Sequence, residues 1–137
     1  MKRRPDWPER LYREIEKARY KPFRYGKNDC CTFACDCVKA MTGEDPMAAF
    51  RRQYKDDASA RAALKTIGSG SLYHTVRRKF GNPIPVAMAH RGDLALAITR
   101  NGPTLFVVLG EKMVGPGDDG LEHVPAADAD RAFRVGF

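Results

Sequence analysis

Residues 23–43 read FRYGKNDCCTFACDCVKAMTG, and they hold all four cysteines of the 137-residue chain, between positions 30 and 37. Asp29 stands just before a run in which Cys30, Ala34, Cys37, Val38 and Met41 recur at helical spacing, and Gly43 closes it. Aspartate before and glycine after are favoured residues for starting and stopping a helix. The spacing therefore predicts a central helix, the most apolar of the chain, opened by Cys30 and Cys31. A helix N-terminus offers unpaired N–H groups and the positive end of the macrodipole, and both favour a thiolate over a thiol. Cys30 is thus the candidate nucleophile.

Four cysteines in eight residues also raise the question of a metal. The spacing CCxxxCxC is not that of a zinc ribbon or knuckle. At about 100° per residue, Cys30 and Cys37 share one helix face while Cys31 and Cys35 share another, so the four sulfurs do not converge on one ion. No metal and no cofactor are expected. A Cys31–Cys35 disulfide is disfavoured by parallel side-chain directions and by a reducing cytoplasm. Cys35 and Cys37 are expected to pack as small hydrophobes. Cys31 stays open between a packed thiol and a spare one at the helix start.

Working outward, Asp6 before Trp7 and Pro8 predicts a capped helix over 7–20, with Leu11, Tyr12, Ile15 and Ala18 at helical spacing. Asp45 and Pro46 predict a short helix through Tyr54, Asp57 a capped helix to Ile67, and Ser71 a further one to Phe80. At 81–86 the sequence GNPIPV forbids helix and predicts an extended connection. Strand patterns follow: DLALAIT at 93–99 and TLFVVLG at 104–110 across a turn at 100–103, then KMVG, GLEHV and AFRVG, with GPGDDG at 115–120 read as a turn. Helices first and strands second define an α+β fold, with the cysteine helix packed on an antiparallel sheet. The expected organisation is one domain over 1–137, mainly helical over 1–81 and mainly strands over 82–137.

The formal charge of +7 is uneven. Residues 1–28 carry ten Lys and Arg against four acids, whereas 102–137 carry three against six. No base-reading motif or aromatic–basic platform accompanies the basic end, which argues against nucleic acid and for docking to an acidic protein surface. No apolar run approaches the roughly 20 residues that span a bilayer, so no membrane insertion is expected. Trp7, Tyr12 and Tyr20 are expected to pack against the domain rather than form an interface stripe.

The chain also resembles the NlpC-type cysteine peptidases, the papain-like cell-wall amidases. Tyr25 and Gly26 match their aromatic–glycine segment, Asp29 and Cys30 the pair that opens the central helix, and Gly92, Asp93 and Leu94 the start of the next strand. More closely it resembles an NlpC-like family of phage and prophage tail proteins, through Gly26–Cys30, TGEDP at 42–46, HRGD at 90–93 and GPGDDGL at 115–121. The resemblance implies an NlpC/papain-like fold and gives Cys30 the nucleophile position. It also puts Thr104 where the peptidases keep the histidine that takes the thiol proton, and a threonine cannot accept a proton near neutral pH.

The substitutes are three histidines. His74 is expected to face solvent beside Arg77 and Arg78, while His90 and His123 are the candidate displaced bases. Tyr25, Gly26, Asp29 and Thr104 would line a degenerate cleft. On this reading the protein is a pseudo-peptidase, a structural protein of the tail tip or of tail assembly, docking to the tail hub. It would reside in the host cytoplasm during assembly and then in the virion tail. The alternative is an active hydrolase of peptidoglycan stem peptides with Cys30 as nucleophile.

Overall fold

Three of the four α-helices begin where a short polar side chain satisfies their first amides. In the computed structural model, which describes residues 1–136, helix α1 spans Trp7–Ala18 and helix α2 Cys30–Thr42. Helix α3 spans Asp57–Thr66 and helix α4 Leu72–Phe80. The cysteine helix runs as its sequence predicts, from an Asp29 cap to Gly43 in the left-handed conformation. Ser71 caps α4 through the His74 amide.

Elsewhere tertiary contacts move the boundaries. Helix α1 stops at Ala18 rather than Tyr20, because the Arg19 carbonyl accepts the Leu121 amide at 3.0 Å. Asp6 makes no cap bond; its carboxylate instead accepts Arg10 Nε at 2.9 Å. The cap of α3 is Asp56, not Asp57. Ser59 lies at the third helical position from Asp56 and its hydroxyl closes a capping box, whereas Ala60, the equivalent for Asp57, has nothing to offer. The helix expected over 45–54 shrinks to a single 3₁₀ turn, Ala48–Phe50, after which Arg52 sits at φ 65° and reverses the chain.

Five strands form one antiparallel sheet in the order β4-β3-β2-β1-β5: β1 Leu94–Thr99, β2 Gly102–Val108, β3 Lys112–Gly117, β4 Gly120–Pro125 and β5 Arg131–Phe133. Two turns are tighter than the sequence predicts. Arg100 and Asn101 alone join β1 to β2, and Asp118 and Asp119 alone join β3 to β4, so Gly115–Gly117 are strand residues and not turn. Pro103 therefore lies within β2. Alternate β2 residues such as Val108 bond to β1, which turns the Pro103 nitrogen to the other side, where β2 and β3 pair only at Val107–Val114 and Val108–Met113. A proline there removes no ladder bond.

Alternation gives the sheet two buried faces. Leu94, Leu96, Leu105, Val107, Val114 and Phe133 meet α1, α2 and α4, whereas Ala95, Ala97, Phe106, Val108 and Met113 pack under Ala126. Short 3₁₀ turns at Val86–Met88 and Ala126–Asp128 cover that second face. Helix α2 is central: Phe33, Ala34, Cys37, Val38 and Met41 are buried between α1 and strands β2 and β3. Cys35 and Cys37 are core side chains, as their spacing predicts. Tyr12 and Tyr20 depart from expectation, at 55% and 81% exposed, and only Trp7 packs against the core. Among the described residues no helix is long and apolar enough to cross a membrane.

Candidate functional site

The N-terminus of α2 is organised by one buried carboxylate. Asp29 Oδ1 accepts the Cys31 and Thr32 amides at 2.9 and 2.8 Å, and Oδ2 accepts the Gly26 amide at 2.8 Å and the Tyr54 hydroxyl at 2.6 Å. Thr32 Oγ1 takes the Asp29 amide at 2.8 Å and completes a capping box. Gly26 holds a left-handed φ of 79°, and a Cβ there would lie 2.5 Å from the Tyr54 carbonyl. Burial, then the bond to Asp29, pushes the Tyr54 phenol far up, so it remains a donor. Tyr25, Gly26, Asp29 and Cys30 lie together here, with the Tyr25 hydroxyl reaching Asp57 at 3.1 Å.

Cys30 and Cys31 share this start, with their sulfurs 3.9 Å apart. The contact with the Cys31 thiol draws the Cys30 thiol below its ordinary pKa; burial opposes this, and the Leu105 backbone amide on β2 adds to it. Leu105 is available because β2 and β3 no longer pair beyond Val107. The Cys31 thiol is pushed well up by the same contact and by burial. Burial raises Cys35 to about 12 and Cys37 well above the usual thiol range. Of the four thiols, only that of Cys30 is drawn below its ordinary pKa.

No histidine is among the hydrogen-bond partners of that sulfur. His90 sits at the opposite end of α2. It precedes Gly92, whose Cβ would lie 2.9 Å from the Met41 sulfur. Eleven residues at about 1.5 Å rise separate Met41 from Cys30 by about 16 Å. His123 is exposed on the outermost strand, opposite Val114, and β4 lies two strands from β2, or about 10 Å. His74 is exposed, as expected, and its Nδ1 bonds Ser71 Oγ at 2.7 Å.

Thr104 lies with Ala97 on the sheet face away from α2, where its hydroxyl meets Thr99 Oγ1 at 3.0 Å. It does not join the cleft, and its neighbour Leu105 faces the helices instead. Among the described residues no group of three His, Cys, Asp or Glu side chains could hold a metal ion. Sequence reasoning missed Tyr54 and the Leu105 amide, neither of which leaves a local signal. Thr32 was legible, since a hydroxyl three residues after an N-cap aspartate suits a capping box.

Asp93, just before β1, is structural. Asp93 is fully buried; its Oδ1 accepts Arg3 Nη2 and the Val135 amide, both at 2.9 Å, and its Oδ2 accepts the His90 amide at 2.8 Å. Arg3 also donates to the carbonyls of Val135 and Arg91, each at 2.7 Å, and stacks over Trp7.

The site therefore defines an α+β protein with an activated cysteine at the start of its central helix and no imidazole beside it. Residues 2–135 match the family described as a domain of unknown function, DUF6950, and the chain belongs to that family. No curated protein matches it.

Proposed function

We propose that the chain is a tail-tip or tail-assembly protein of a phage or prophage, with a degenerate NlpC/papain-like peptidase fold, acting by docking to the tail hub. The observation that carries the loss of catalysis is the set of partners around Cys30: a thiol and a backbone amide, with no imidazole. A thiolate can attack a carbonyl, but an amide leaves only when an acid protonates its nitrogen, and neither Cys31 nor Leu105 is an acid matched to that task. The family resemblance and the central cysteine helix on an antiparallel sheet support the fold.

Charge and exposure support docking. On α1, Tyr12 and Arg13 are exposed side by side with Pro8 and Glu9 around a shallow cavity of about 410 Å³. Aromatic and arginine side chains are the residues enriched where proteins meet. The partner is another tail protein presenting an acidic surface, met first in the host cytoplasm and then in the virion tail. Nucleic acid and membrane have no part in it.

Two variants in a phage genome carrying the gene test this reading. Cys30→Ala should leave infectivity intact, while Arg13→Glu with Lys17→Glu should block tail assembly. Loss of infectivity with Cys30→Ala alone would overturn it in favour of the second reading, a hydrolase of peptidoglycan stem peptides. The depressed Cys30 thiol favours that alternative, and release of stem-peptide fragments by the purified protein, abolished by Cys30→Ala, would establish it.

A further inference from the structure

At the end of α2 remote from the cysteines, Trp7, His90, Arg91 and Arg134 line an open cavity of about 480 Å³. No acidic side chain is among these lining residues. Around this cavity, Asp93, the acid nearest His90 and Arg91 in sequence, is engaged by Arg3 and by the Val135 and His90 amides. Among the described residues the Arg91 guanidinium and the His90 ring have no hydrogen-bond or ion-pair partner. Arg134 gives one hydrogen to the Met88 carbonyl at 3.3 Å, and its Nε is buried without any partner.

We propose that this cavity binds a small phosphate ester carrying a ring, with Arg91 and Arg134 on the phosphate and the Trp7 indole against the ring. Two guanidiniums and an imidazole around one cavity suit a dianion better than a single carboxylate, because a guanidinium can donate to more than one oxygen of one group. The cavity size falls within the range of small-molecule sites, about 300–1,000 Å³, and is ample for a phosphate and one ring system. Arg3 stacks on Trp7 and fixes the indole plane, so the platform is already in place.

Trp7 is the only tryptophan of the chain and so reports on the site by itself. With tyrosines left unexcited, its fluorescence is titrated at low ionic strength with phenyl phosphate, with inorganic phosphate and with phenol. Phenyl phosphate should give a saturable change and bind several-fold more tightly than inorganic phosphate, with phenol silent in the same range. Arg91→Gln, on an exposed side chain, and Arg134→Gln should each weaken phenyl phosphate by about tenfold or more, the worth of one charge-assisted hydrogen bond. Arg100→Gln, on the remote β1–β2 turn, should leave it unchanged. Absence of a saturable change up to millimolar phenyl phosphate would overturn the proposal. So would equal weakening by Arg100→Gln, which would mean diffuse attraction to a basic protein, or equal binding of phenol, which would leave the arginines without a role.

Discussion

The difference between Cys30 and its three neighbours is chemical context, since all lie within eight residues of one helix. The Cys31 thiol and the Leu105 amide both lower the Cys30 pKa, whereas Cys35 and Cys37 are held neutral by burial. Iodoacetamide with mass-spectrometric mapping should therefore label Cys30 first. A lowered pKa means that the thiolate is half-formed at a lower pH, so the labelling rate should level off at a pH below the ordinary thiol value. Cys31→Ala removes the thiol contact and should move that inflection upward. The His90→Ala and His123→Ala variants should leave rate and inflection unchanged, because neither imidazole approaches the sulfur. A fall in Cys30 labelling with His123→Ala would return that histidine to the site. At this scale the sequence located Cys30 but not its partners: a helix start is written locally, whereas a strand amide becomes available only where two strands separate.

Helix α2 depends on its cap more than a surface helix would. Asp29 serves four donors in a buried place, so Asp29→Ala removes an N-cap, about 1 kcal/mol, and strands Tyr54 Oη and the Gly26 amide at about 1–3 kcal/mol each. Urea unfolding should show a loss of at least about 2 kcal/mol. Tyr54→Phe takes away one donor only, and should cost about half as much or less. Gly26→Ala should also destabilise, because its Cβ would sit 2.5 Å from the Tyr54 carbonyl in a backbone region that side chains resist. Elements with a period and two punctuating residues, such as α2, α4 and β1, were legible in the sequence. The segment 45–54 was not, because Arg51 is claimed by Asp36 and Asp45, at 2.8 and 3.2 Å, and Tyr54 by Asp29. Those bonds are long-range, and they outweigh a weak local preference for helix.

Across the whole molecule, the sheet is fastened by a contact no local reading supplies. Arg3 and Asp93 form a buried ion pair that also binds the Val135 backbone, uniting the start of the chain, the start of β1 and the end of β5. Removing one partner of such a pair leaves an uncompensated buried charge, at about 3–5 kcal/mol. Arg3→Met should therefore lower stability by about that amount in denaturant titration, while the double change Arg3→Met with Asp93→Asn should recover part of it. If Arg3→Met proved as stable as the parent protein, the fastening would be incidental. The order of the sheet was equally hidden, since β5 returns to pair with β1 across the intervening strands, and only the finished sheet reveals it. This fastening also constrains how the protein is made. Arg3 is made before its partner Val135, 132 residues later, and must wait for it while β1 keeps one edge unpaired. The sheet is therefore complete only once β5 has emerged, and a nascent chain stalled before Arg131 should remain sensitive to protease along β1 however well its helices have formed.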